Sequence, residues 1–253
     1  MKSRILLLSI SGLILFIIFI FIFITGNHNK NISVVSDLAY NRGNSENEVY
    51  IYENGSYVPY IVITDDYAGN TLLLRKEALP QNYRINSYDS YYPDSDLDRY
   101  LNSVFLSSLE NIKSDIVETE IEVTAKDSIG ISGEETEKIS RQIFILSGNE
   151  MCCSSENMAE EGMPLNYFKS ISNRETLQNG KKVSCWLRTP NTFYVSCSYV
   201  IGDNNKMGFT NASDFNAVRP AFCISGSYPV KKSSFESASG EKRYVLEEPR
   251  SEQ

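Results

Sequence analysis

The sequence predicts an α+β protein: a single extracellular domain of mostly antiparallel short strands with two or three helices, preceded by one transmembrane helix. Three observations carry this reading. Short runs of β-forming residues recur between turn residues, as around Asn54-Gly55. One stretch near Ser95 shows a helical apolar period. The regular strand–helix–strand alternation that builds a parallel sheet is not visible. The expected organisation is an anchor over residues 1–25, a polar stalk over 26–48, the folded domain over 49–225 and a disordered tail over 226–253.

The anchor rests on Ile5 to Ile24, an apolar run interrupted only by Ser9, Ser11 and Gly12. A helix of that length spans about 30 Å, the thickness of a hydrocarbon core. Lys2 and Arg4 precede it, which places the N-terminus in the cytoplasm and the rest outside. The rival reading is a cleaved signal peptide. The run is longer than such peptides carry and leads into Phe23-Ile24-Thr25-Gly26-Asn27, with no Ala-x-Ala site. The stalk is rich in Asn and Ser and holds the chain's single histidine, His28.

Folding signals begin at Val49. Val49 to Glu53 and Tyr57 to Thr64 flank Asn54-Gly55, which supplies the positive φ of a tight hairpin turn. Pro59 predicts that the second strand is an edge or is bulged there. Asp65 to Asn70 reads as a turn and Thr71 to Arg75 as a third strand. Ser95 is placed to cap a helix, with Asp94, Asp96 and Asp98 at its positive end. Leu97, Tyr100, Leu101, Val104 and Phe105 then form one apolar stripe, of which Leu97, Leu101, Val104 and Phe105 are expected to face the core. A short helix over Ser108 to Lys113 and a strand over Ile116 to Val123 follow. Ser132 to Lys138 is acidic and loop-like or briefly helical. Gln142 to Ser147 reads as a buried strand, and Tyr167 to Ile171 as a helical turn in a polar stretch. Cys185 to Pro190, Phe193 to Ile201 and Ala217 to Ile224 complete the strands.

Charge and composition exclude several function classes. The net charge is −8, with 24 basic and 32 acidic residues, which disfavours a nucleic-acid partner. One histidine in a linker leaves no Ser-His-Asp triad, Cys-His dyad or HExxH zinc site. No Walker loop or Gly-x-Gly-x-x-Gly is present. Asp94-x-Asp96-x-Asp98 mimics the start of a calcium loop, but Arg99 stands where the turn needs Gly, and Phe105 where a bidentate Glu belongs. No catalytic residue, metal ligand or cofactor is therefore assigned. The five cysteines, Cys152, Cys153, Cys185, Cys197 and Cys223, form no C-x-x-C pair. They read as small buried hydrophobes, with a disulfide among Cys185, Cys197 and Cys223 or a reactive thiol as alternatives.

Two groups remain as binding candidates. Tyr88, Tyr91 and Tyr92 cluster in a polar loop, where exposed aromatics stack on sugars or anchor an interface, unless they are simply packed. Arg188 and Arg219 are each flanked by apolar residues, so a carboxylate or several carbonyls must satisfy them. The structural reading is a hydrogen-bonded hub in the central sheet. The functional one is capture of an anionic ligand.

Those two segments also carry a resemblance. Cys185-Trp186-Leu187-Arg188-Thr189-Pro190 and Ala217-Val218-Arg219-Pro220-Ala221-Phe222 resemble the paired WWLRSP and GVRPA signatures of a family of uncharacterised domains in surface-exposed proteins of Gram-positive bacteria. Ser95 to Phe105 resembles that family's S-D-L/I-x-x-x-L-N-x-x-F helix, and Ile143 to Ser147 its V-F-L-L-S strand. The family implies no agreed activity. Its paired strands are similar to the closing part of C-type-lectin-like and formylglycine-generating-enzyme-like folds. This chain departs from the pattern at Cys185 and Ala217, without adding a catalytic group. The expectation is a membrane-anchored, non-enzymatic ectodomain that binds a glycan, peptide or protein at the cell surface. The alternatives are a carboxylate-based glycan hydrolase or cysteine-dependent enzyme, and a purely structural envelope component.

Overall fold

The structure, a computed structural model, describes residues 32–44, 46–236 and 242–246. The Ile5–Ile24 segment lies outside them. Among the described residues no helix is long and apolar enough to cross a membrane. From Ser33 onward the described residues form one compact unit. It is mostly strand, with one short helix and a curled mixed sheet.

The hairpin forms as its turn chemistry dictates. β1 (Glu48–Glu53) and β2 (Ser56–Tyr67) pair in register from Glu48↔Ile61 to Glu53↔Ser56. Asn54 and Gly55 between them take positive φ, 47° and 83°. β2 is not an edge. β3 (Asn70–Arg75) pairs along its other side, starting at Tyr60↔Arg75. Pro59 is tolerated because it lies one residue beyond that ladder and contributes only its carbonyl, to the Lys76 amide at 3.0 Å.

β3 pairs in turn with β13 (Ala221–Ile224). The far edge of β13 is shared end to end by two short strands, β4 (Ile116–Val117) and β7 (Ile143–Phe144). All of β13 and most of β3 are buried, which explains their uninterrupted apolar sequences. β5 (Thr119–Thr124) and β6 (Thr136–Arg141) make a separate hairpin. Ser132 to Glu135 is therefore loop, as expected, but the segment passes into a strand at Thr136. β8 (Leu177–Gln178) and β9 (Lys181–Lys182) form a minimal hairpin. β10 (Cys185–Pro190), β11 (Cys197–Ile201) and β12 (Met207–Asn211) form a three-stranded antiparallel sheet.

The folded unit extends past 49–225 on both sides. Within the expected stalk, Val35–Leu38 forms a 3-10 turn, with Val35, Leu38 and Ala39 fully buried. Asp37 accepts from the Ser33 and Val34 amides at 3.1 and 3.2 Å, and the Val35 amide donates to the Tyr228 carbonyl at 2.8 Å. Within the expected disordered tail, β14 (Val230–Glu236) and β15 (Lys242–Leu246) pair antiparallel, and β15 adds in parallel to β1. Few residues seal this join, among them Val230, Tyr244 and Val245. Their polar neighbours mask them in the sequence.

Among the described residues the two or three expected helices reduce to one. α1 (Asp96–Tyr100) starts where predicted, with the Ser95 hydroxyl accepting from the Asp98 amide at 3.2 Å. It continues as a π-helical turn over Leu101–Phe105 and ends at Ser107. Ser108 to Ile112 is turn, followed by a 3-10 turn at Lys113–Asp115. Leu97, Leu101 and Phe105 are buried as expected, but Val104 is 63% exposed. The wider π-turn inserts one extra residue into the helical period, so Phe105 takes the inward place that a regular helix gives Val104.

Candidate functional site

Burying a guanidinium is tolerable only when its donors find acceptors. Arg188, on β10, has no exposed surface. Its Nη1 and Nη2 donate to Glu150 Oε2 and Oε1 at 2.7 and 2.8 Å. Nη1 also donates to the Ile145 carbonyl at 3.0 Å, and Nε to the Glu122 carbonyl at 2.9 Å. A second buried carboxylate, Glu161, lies 3.6 Å from Nε. It accepts from the Thr124 amide, the Thr124 hydroxyl and the Thr189 hydroxyl, each at 2.7 Å. Burial pushes the Glu161 carboxyl up, against the pull of Arg188 and the threonines. Burial also opposes the charge of Arg188, but Glu150, Tyr67 and Glu161 around it together outweigh this and hold the guanidinium above its ordinary range. Gly162 borders the pair at φ +71°, where a Cβ would stand 2.6 Å from Glu150 Oε1. Only glycine fits there.

Arg219 is also buried, and carbonyls satisfy it. Nε donates to Arg75 at 3.1 Å and Nη1 to Glu175 at 3.3 Å. Burial pulls its pKa down. The two arginines do not share the central sheet. Arg188 lies in the three-stranded sheet, and Arg219 in the link that precedes β13. A parallel bridge, Cys185↔Ala217, joins their segments. Both are hubs of the fold.

The frame around Arg188 leads directly to an exposed surface. After Pro190 the chain turns sharply. Asn191 Oδ1 accepts from the Phe193 and Tyr194 amides at 3.0 and 2.9 Å, and the Asn191 amide donates to the Cys197 carbonyl at 2.8 Å. Neighbouring loops lock the turn further. The Thr192 carbonyl accepts from the Gly130 and Ser132 amides at 2.7 and 3.0 Å. The Val195 carbonyl accepts from the Ser90 amide and hydroxyl at 3.1 and 2.9 Å. On this fixed turn Phe193, Tyr194 and Val195 stand half-exposed. Tyr194 stacks on Phe209 of β12, itself half-exposed, with centroids 5.6 Å apart. Phe193 meets Tyr194 edge-on at 4.8 Å. Rigidly held aromatics lose little entropy when they are covered, and they dominate binding energy at interfaces.

The tyrosines expected to bind do not form one surface. Tyr88 is almost fully exposed, and Tyr92 is buried in the core. Tyr91 donates to Glu137, with the Lys126 ammonium 5.4 Å from its ring centroid. The aromatic face was hidden in the sequence because Phe193 to Ile201 alternates like a strand, whereas the strand begins only at Cys197. The available signal was Pro190-Asn191, whose Asn caps the amides two and three residues on.

The carboxylates and thiols that the enzyme alternatives name are placed as follows. A cleft of about 540 Å³ beside α1 holds Asp94, Asp98 and Glu118. Asp98 is fully engaged. Both oxygens accept from Arg141 Nε at 2.9 Å, Oδ1 accepts from Asn102 at 3.0 Å and Oδ2 from the Asp94 amide at 2.8 Å. Asp96 pairs with Arg84 and Arg99. The three aspartates thus serve the helix start. All five cysteines are free, with no disulfide among Cys185, Cys197 and Cys223. Burial pushes the Cys223 thiol up to about 12, and raises Cys153 and Cys185 as well. That is the opposite of an activated nucleophile. Among the described residues no group of three or more His, Cys, Asp or Glu is placed to hold a metal ion.

These features define a β-rich domain built around buried arginines and presenting a fixed aromatic face. Residues 68–226 match the model of a family described as a domain of unknown function, DUF6273, and the chain belongs to that family. A search of curated proteins and a search of solved structures each return no match.

Proposed function

We propose that this chain is a membrane-anchored, non-catalytic binding module of the bacterial cell surface, held by Ile5–Ile24 with its folded domain outside. Its fold is read as a relative of the C-type-lectin-like architecture, a likeness carried by the Cys185–Pro190 and Ala217–Phe222 segments. The observation that carries the binding reading is the half-exposed aromatic set Phe193, Tyr194 and Phe209, fixed by the Asn191 turn. Its exposed side chains carry no charge, as in the cores of protein interfaces. The partner is accordingly a peptide or protein segment rather than an ion. The test is site-specific photo-crosslinking on intact cells from position 195, beside the face. A discrete adduct is expected, lost in Tyr194→Ser/Phe209→Ser while the melting temperature holds. The same adduct at full yield in the double variant, or no adduct at all, would overturn the reading.

A further inference from the structure

A second, separate pocket of about 310 Å³ opens beside the helix, between the tip of the β1–β2 hairpin, the 79–83 segment and the end of the helical stretch. That volume lies at the lower end of the range of about 300–1,000 Å³ usual for ligand sites. Its walls are fixed. The Asn54 amide donates to the Ser108 carbonyl at 3.2 Å, tying hairpin to helix. The Trp186 indole donates to the Tyr83 carbonyl at 2.7 Å, holding the 79–83 segment.

Three features of the lining specify a ligand. Tyr83 and Tyr100 stack at 4.3 Å and form an aromatic wall. The floor is an ion pair already neutralised within the protein. Arg75 Nε donates to both Glu53 oxygens at 3.0 and 3.2 Å, Nη2 donates to Oε1 at 3.1 Å, and the Tyr60 hydroxyl donates to Oε2 at 2.7 Å. Val104 is the third feature. The π-turn that expels it from the core places it on this pocket's wall, and such turns gather at functional sites.

We infer that this pocket binds one neutral sugar ring. The stacked Tyr83–Tyr100 pair and Val104, all three lining the pocket, offer the C–H face of a pyranose an aromatic and apolar surface. Asn54, Gln81, Ser56 and Ser108 also line the pocket and supply side-chain amides and hydroxyl oxygens for the ring's hydroxyl groups; the two serine hydroxyls already donate to the Glu53 and Phe105 carbonyls and so act as acceptors. A charged ligand has no unpaired counter-charge at the floor, and the volume suits one ring rather than a chain. This inference goes beyond peptide or protein docking at the aromatic face and stands independently of it.

The test uses the full chain, purified in a detergent without a sugar headgroup, and saturation-transfer difference NMR with glucose, galactose, mannose and N-acetylglucosamine. At least one sugar is expected to receive saturation. The signal should be lost in Tyr100→Ala and in Val104→Lys, the second being an exposed position whose change leaves the core intact. It should persist in Tyr194→Ser, which alters only the aromatic face. No transfer to any of the four sugars, or equal transfer in Val104→Lys, would overturn the inference.

Discussion

Arg188, Glu150 and Glu161 place two carboxylates around one guanidinium in the dry interior. Such an arrangement adds little net stability over an apolar core, yet it cannot lose a member cheaply. Burial is what lifts Glu161 above the ordinary carboxylate range, against the pull of Arg188 and the hydrogen bonds from Thr189 and Thr124. The sign of the consequence is fixed by linkage. Folded Glu161 keeps its proton to higher pH than unfolded Glu161 does. Its contribution to stability is therefore full below the ordinary carboxylate pKa. It falls as pH rises from there to the raised value, and is constant beyond. Urea midpoints of wild type and Glu161→Gln, compared from about pH 4 to pH 7, should show wild type losing ground to the variant as pH rises. A difference that stays flat across that range would contradict the shift. The two arginines were legible in the sequence because apolar residues flank them. Glu150 and Glu161 were not, since they lie in a polar, Gly-punctuated stretch where acids normally stay solvated.

The helical stretch shows how far a period can be trusted. A strict 3.6-residue repeat through Ser95 to Phe105 assigns Leu97, Leu101, Val104 and Phe105 to one face, and three of the four are buried. The fourth fails because the π-turn adds a residue, an event that leaves no mark on the apolar pattern. Leu101→Ala should cost about 2–5 kcal/mol, whereas Val104→Ser should stay within about 0.5 kcal/mol of wild type. Denaturant midpoints decide it: a large loss at Val104 would restore the regular helix. The strands divide by the same logic. β2, β3, β10 and β13 were readable because burial makes them apolar. β6 and β12 were not, because Thr136–Arg141 and Met207–Asn211 have no buried face and their polar residues look like loop.

The family match and the folded unit do not coincide, and the sheet shows why that matters. The match runs from Ala68, in the turn between β2 and β3, to Gly226, just after β13. It contains β3, β13, β4 and β7 of the eight-stranded sheet and omits β14, β15, β1 and β2. The omitted strands come from both ends of the chain and meet where β15 pairs with β1. Removing them strips β2 from β3 and turns the buried Leu72, Leu73 and Leu74 into an exposed, unpaired edge, a surface prone to aggregation. It also removes Tyr60, which rests against Phe222 with centroids 5.5 Å apart, and Tyr67, which donates to Glu150 in the buried arginine cluster. A fragment of residues 33–253 should therefore unfold in one cooperative transition, while residues 68–226 alone should aggregate or lack one. Trp186, the single tryptophan and fully buried, reports the outcome through its fluorescence. A blue-shifted Trp186 signal with sigmoidal urea unfolding in the 68–226 fragment would show that the matched segment folds without its flanks, and that the four outer strands are an addition rather than half of the core sheet.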